Sequence, residues 1–215
     1  MKNMIMKLTL CVLMLLSLLS INDGNVSAEP TTAAEKTAAI QKAYESIKDI
    51  KGSFVQKSTI KDLKKTETYQ GQFFIKAKQM RWEYKGDKHQ IVYITGKDII
   101  IYQPQQKQAF KAAFSQAAYG QAPIALLSGF GNIEREFSAS MRGEKLVLTP
   151  KAPMGNISSV EVKTADEGFP IKALSVIDKL GNRIDIEFSN VKTNTNIKNS
   201  IFTFKAPEGV TVLEQ

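Results

Sequence analysis

The sequence predicts a mainly β fold with helices: one large, strongly curved, mostly antiparallel sheet of about eleven strands. An N-terminal helix and a short inserted helix should lie against its concave side. Three observations predict this. From Gly52 onward, apolar and polar residues alternate with period two in one segment after another. Short polar breaks separate those segments, as antiparallel neighbours require. Helical spacing is confined to two places, one after Thr32 and one around Pro123.

The chain opens with Lys2 and Lys7, an apolar run from Leu8 to Leu19, and Val26-Ser27-Ala28. That order is a basic region, an apolar core and a small-x-small cleavage site, so residues 1–28 read as a secretory signal peptide. The apolar run is about a dozen residues, short for a bilayer span. Cys11 lies inside the run, not just after it, so the chain does not read as a lipoprotein itself. No cysteine follows residue 28, which removes disulfides, thiolate ligands and cysteine nucleophiles together. Residues 29–215 suit a single domain.

Thr32-Ala33-Ala34-Glu35 is a capping box, and Ile40, Tyr44 and Ile47 follow at helical spacing. The helix should stop by Lys51-Gly52. In "YQGQFFI", Tyr69, Gly71, Phe73 and Ile75 share a face, and Gly71 on that face suggests a bend or bulge. In "MRWEY", Met80, Trp82 and Tyr84 point one way while Arg81 and Glu83 point the other. Thr95 to Asp98 and Gln103 to Gln106 look like tight connections. Pro123, Ile124, Leu126 and Leu127 form the inserted helical segment, apolar on more than one side and placed to cover an interior. Strands resume with "REFSASM", and Leu180-Gly181-Asn182-Arg183 is a two-residue hairpin signal.

Removal of residues 1–28 leaves 27 basic and 20 acidic residues spread along the chain. Export weighs against nucleic acid as their partner, leaving a solvated outer face, an acidic partner surface or an anionic membrane. The residues for catalysis are missing. The single histidine, His89, sits in a polar turn, so no histidine metal cluster can form and a serine triad would have to use that turn residue. Ser128 lacks the glycine two positions earlier that a nucleophile elbow needs. Glu134 and Glu136, two apart on an expected strand, have no legible apolar pocket to act as paired carboxylates. No phosphate loop occurs, no cofactor is implied, and the protein does not read as an enzyme.

What remains is apolar. Phe54, Phe73, Ile75, Met80, Trp82, Tyr84, Ile91, Tyr93, Ile99 and Ile101 supply one large inward face, with Ile124, Leu126 and Leu127 to cover it. A packed core and a ligand cavity demand the same inward residues, so periodicity leaves both open.

Four stretches in order then resemble the LolA family, the periplasmic carriers that move lipoproteins from the inner to the outer membrane. They are "GSFVQK" (52–57), "IVYITGKDIIIYQPQQKQA" (91–109), "VLTPKAPMGN" (147–156) and "FTFKAPEGVTV" (202–212). The resemblance implies an incomplete, unclosed barrel with helices as a lid over an apolar cavity for acyl chains. It implies a monomer whose partners are acylated lipoproteins, an inner-membrane ABC lipoprotein-releasing complex and, in many bacteria, an outer-membrane receptor lipoprotein. The inward residues above then become the cavity lining. The family usually carries an arginine before proline ahead of the tryptophan strand, which helps to hold the lid shut. This chain reads "GQFFIKAKQMRW" there, so Ala77 or Lys76 takes that place, and Lys76 or Arg81 is the candidate to replace the gate. Met80 stands where the family has a bulky residue that contacts the transporter. A sensor of lipid or mislocalised lipoproteins and a carrier of another amphiphile, such as a glycolipid, are the other functions this fold would suit.

Overall fold

The computed structural model describes residues 32–114, 127, 133–165 and 168–214. Helix α1 (Ala33–Glu45) begins as its sequence dictates. The Glu35 amide donates to the Thr32 hydroxyl at 3.2 Å, and the Thr32 amide donates to the Glu35 carboxylate at 2.7 Å. It stops at Glu45, inside the expected limit of Lys51-Gly52 but short of Ile47, because contacts with a distant part of the chain set its end. The Asn194 side chain donates to the Ser46 carbonyl at 3.0 Å and accepts from the Lys48 amide at 2.7 Å. Those bonds turn the backbone out of the helix and into the first strand.

Twelve strands follow among the described residues: β1 (Asp49–Ile60), β2 (Lys65–Lys76), β3 (Gln79–Lys85), β4 (Gln90–Ile94), β5 (Asp98–Gln103), β6 (Gln108–Ala113), β7 (Phe137–Arg142), β8 (Lys145–Pro150), β9 (Ile157–Thr164), β10 (Ile171–Asp178), β11 (Arg183–Thr193) and β12 (Thr211–Glu214). They make one sheet in the order β12-β6-β5-β4-β3-β2-β1-β11-β10-β9-β8-β7. Every pairing is antiparallel except β12 with β6. The sheet is open, with β12 and β7 at its edges, so the incomplete barrel expected from the sequence holds and gains a twelfth strand. A second helix, α2 (Ile133–Glu136), precedes β7. It overturns the strand expected at Glu134 and Glu136, which occupy one helical turn and form no face-sharing pair.

Connections are short for the reasons the turns suggested, with one correction. Residues 95–97 link β4 to β5, and Pro104–Gln106 form a 3-10 turn before β6. The loop from β10 to β11 has four residues, not two, because the Asp178 carboxylate accepts from the amides of Leu180 and Asn182 and closes a wider turn. Gly71 makes no bulge: the β1–β2 and β2–β3 registers run through it unbroken. Its bare face makes room instead, since a Cβ there would lie 2.7 Å from the Phe54 ring. The register shift falls in β1, between Lys51 and Ser53 against β11.

The main core lies on the face that α1 covers. It runs from Ile40 of α1 across Phe54, Phe73, Met80 and Trp82 to Leu148, Val160 and Ile186 on the other arm of the sheet. The reverse face has its own smaller core of Ile91, Tyr93, Ile100 and Ala109, closed by Tyr102, Phe204 and Val210. The C-terminal stretch "FTFKAPEGVTV" therefore lies over the back of β4, β5 and β6 before β12 joins the edge. Burial of β4 on both faces hid its direction in the sequence. In register, Trp82 faces Val92 and Met80 faces Ile94, so Val92 and Ile94 share the helix-covered face. Ile91 and Tyr93, expected inside, belong to the reverse core.

Candidate functional site

The floor of the helix-covered face is aromatic. Phe54 and Trp82 stack with centroids 3.8 Å apart and 23° between their planes, and Phe73 lies 5.4 Å from Trp82. Tyr84 meets Phe54 edge-on at 5.4 Å, and its hydroxyl donates to the Gln56 side chain at 3.1 Å. Burial pushes the Tyr84 phenol up to about 12, so it stays neutral. Phe54, Phe73, Met80 and Trp82 are each no more than 1% exposed. Side chains therefore fill the space behind Trp82. Ile75, Ile99, Ile101 and Leu127 fall on or against the same core. Ile124 and Leu126 lie outside the described residues, as does Ser128.

One cavity adjoins the interior beneath α1. It measures about 500 Å³ and sits between the last turn of α1 and the adjoining ends of β1 and β2. Tyr44, Ile47, Ile50, Ile75 and Leu127 give it apolar walls, while Gln41, Lys48 and Lys78 stand among its polar lining. Burial drives the Tyr44 phenol far above its ordinary value, which keeps that wall uncharged. The arrangement is a mouth with apolar walls and a charged rim beside the apolar core of the sheet, suited to alkyl chains.

The expected gate residues are dispersed. Ala77 lines the mouth, in the turn between β2 and β3, at φ 51. Lys76 and Arg81 face away from the helix-covered side. The Lys76 ammonium donates to the Ile197 carbonyl at 2.7 Å. Arg81 pairs with Glu83 at 2.9 Å and lies 5.5 Å over the Tyr93 ring. Period two dictates this, because both cations alternate with the inward Ile75, Met80 and Trp82. Met80 is buried and presents no surface to a transporter in this conformation.

Residues that sequence reasoning missed tie α1 down. The Lys36 ammonium donates to the Glu144 carbonyl at 3.1 Å and to the Thr164 hydroxyl at 3.3 Å. The Gln41 side-chain oxygen accepts from the Glu134 amide at 3.1 Å. Both are ordinary surface positions of a helix, so no local signal marks them.

Beside the mouth, Asp49 anchors the segment that follows β11. Its buried carboxylate accepts from the Thr195 amide at 2.8 Å, the Thr195 hydroxyl at 3.1 Å and the Ile197 amide at 3.3 Å. Burial opposes ionisation, but these donors outweigh it and hold the carboxyl below its usual range. A lowered folded-state value stabilises the fold above the unfolded carboxyl's value, about 3.9, and that stabilisation fades as pH falls through the folded one. Asp49→Asn should therefore cost about 1–3 kcal/mol at pH 7. In urea titrations, the gap between wild type and variant should shrink as pH falls below about 4.

The remaining polar candidates do not assemble a reaction centre. His89 lies 3.5 Å from the Glu83 carboxylate on the rim of a separate polar cavity of about 520 Å³ with Gln56, Tyr69 and Gln103. Glu136 pairs with Arg135 at 2.9 Å. Among the described residues, no three His, Cys, Asp or Glu side chains gather to hold a metal ion.

Residues 45–205 match the family described as outer membrane lipoprotein carrier protein LolA. The chain is 29% identical over 170 residues to an outer-membrane lipoprotein carrier protein of Neisseria meningitidis serogroup C, covering 76% of this chain and 80% of that one. It is 29% identical over 188 residues to one of Leptothrix cholodnii, covering 85% and 87%. A solved structure of an uncharacterized conserved protein from Thermus thermophilus superposes with a TM-score of 0.52 at 15% identity. It covers 85% of this chain and 99% of that one, a likeness of fold alone. With three quarters of its length matched and the open sheet in place, the chain belongs to the LolA family of outer membrane lipoprotein carrier proteins.

Proposed function

We propose that the protein is a periplasmic carrier that takes the acylated anchor of lipoproteins into its apolar interior. It receives them from an inner-membrane ABC lipoprotein-releasing complex and delivers them to the outer membrane, to a receptor lipoprotein where one is present. It acts as a monomer, makes and breaks no bond, and calls for no cofactor. The observation that carries this reading is the apolar mouth beneath α1, continuous with the large core of the sheet. An acyl chain in water costs on the order of 10 kcal/mol, at about 0.8 kcal/mol per methylene. Only an enclosed interior offsets most of that for two or three chains. Because side chains fill the space behind Trp82, the resting protein is the closed form. Loading then requires α1 to lift and aromatic rings to part, and their tendency to repack helps expel the cargo.

The test is to purify the protein from a periplasmic fraction and identify what accompanies it. Bound lipoproteins are expected. Lipid without protein would point to another amphiphile, and an empty protein that takes up neither would contradict the reading. The lid has its own test. Lys36→Ala should speed release of a bound fluorescent fatty acid several-fold, because it frees α1 from Glu144 and Thr164. Lys76→Ala and Arg81→Ala should leave release unchanged, since neither cation faces the helix-covered side. Slower release on loss of Lys36, or faster release on loss of either other cation, would reassign the gate.

A further inference from the structure

At the end of β1 remote from the mouth, two neighbouring turns each push a leucine into solvent. Leu63, between β1 and β2, is 69% exposed, and Leu180, between β10 and β11, is 66% exposed. Ile60 beside them is 43% exposed. The turns adjoin because β1 pairs with β11, and the Lys61 amide donates to the Asn182 side chain at 3.1 Å. Hydrogen bonds also build the turn that carries Leu180. The Asp178 carboxylate accepts from the Leu180 amide at 2.9 Å, the Asn182 amide at 2.8 Å and the Asn182 side chain at 2.8 Å. The Lys61 stem lies against Gly181, where a Cβ would sit 2.9 Å from its Cδ. The leucines are therefore held outward by a built turn in which polar residues would serve the backbone equally well.

Each leucine has lysines for neighbours: Lys61, Lys64 and Lys65 around Leu63, and Lys179 beside Leu180. All four are exposed. Lys65 pairs with Glu67 at 2.9 Å, while Lys61, Lys64 and Lys179 make no ion pair among the described residues. Asp178 is committed to its own turn, which leaves Asp62 as the free acid at the tips. Apolar side chains at the point of a turn, ringed by free ammonium groups, match the layers of an anionic bilayer surface: phosphates outside, hydrocarbon just beneath.

We propose that the paired tips of Leu63 and Leu180 dock this protein on anionic phospholipid membranes. The tips follow one end of β1 and the mouth lies at the other, eleven rises of ~3.3 Å or roughly 36 Å of strand apart, so docking and cargo binding use separate ends of β1. The proposal goes beyond the carrier reading and is tested without cargo. Flotation of the lipid-free protein is measured with vesicles of phosphatidylcholine alone and of equal parts phosphatidylcholine and phosphatidylglycerol.

Wild type should float with the anionic vesicles at low salt and bind the neutral ones weakly. Leu63→Ser with Leu180→Ser should weaken binding at least about tenfold with the circular dichroism spectrum unchanged. Lys61→Gln, Lys64→Gln and Lys179→Gln should each weaken it about fivefold, and high salt should mimic them. Absence of wild-type binding, or equal binding by the leucine variant, would overturn the proposal. So would a dimer of the wild type that the leucine changes dissociate, which would make the tips a contact between copies of the chain. Lipoprotein uptake by the leucine variant should match wild type, so the carrier reading fails or stands independently.

Discussion

Trp82→Ala should lower the stability of the fold by about 3–5 kcal/mol, the largest loss from any single truncation on the helix-covered face. The indole is fully buried, stacked on Phe54 at 3.8 Å and flanked by Phe73 at 5.4 Å. Alanine removes that stack and leaves a hole between rings that β1, β2 and β3 hold in fixed register. At roughly 2–4 °C per kcal/mol for a domain of this size, the melting temperature should fall by about 10 °C. Circular dichroism must follow the transition, because Trp82 is the only tryptophan. The experiment also separates the two interiors that periodicity left open. If the space behind Trp82 were empty in the resting protein, the loss would stay below about 2 kcal/mol, since no new cavity would form.

Gly71→Ala should cost at least about 3 kcal/mol, although it adds one methyl group to a strand. The added Cβ would lie 1.9 Å from the Glu83 carbonyl oxygen and 2.7 Å from two atoms of the Phe54 ring. A ring can turn aside, but the carbonyl belongs to the neighbouring strand, so β2 and β3 must part at their centre. Two controls sharpen the prediction. Gly52→Ala meets the Phe73 ring at 2.9 Å and the Ser189 carbonyl at 3.1 Å, so it should cost less, about 1–2 kcal/mol. Phe54→Ala should not rescue Gly71→Ala, because it removes the ring and leaves the carbonyl where it was. Urea midpoints of the four variants decide both points.

The legible parts of this fold are those where one local pattern settles the outcome. The capping box at Thr32 and Glu35, the alternation through Met80, Trp82 and Tyr84, and the turns at residues 95–97 and 104–106 needed no distant partner. The misread parts depend on contacts far along the chain. The end of α1 is fixed by Asn194, and the facing of Ile91 and Tyr93 by a C-terminal segment that buries the back of β4. A strand apolar on both faces carries no alternation, so Val92 and Ile94 could not be told from their neighbours. The ties that hold α1 were illegible for a different reason. A missing arginine is visible in a sequence, whereas hydrogen bonds from Lys36 to Glu144 and Thr164 exist only once the sheet has brought those residues beneath the helix.

The central claim is that a lipoprotein's acyl chains leave a membrane for the interior of this protein. The most direct measurement adds the purified protein to spheroplasts carrying a labelled lipoprotein destined for the outer membrane. The medium is then separated by size. A soluble complex of the protein with one lipoprotein should appear, and prior saturation of the interior with a fatty acid should suppress it. Lipoprotein that stays with the spheroplasts at every concentration of added protein would contradict the account.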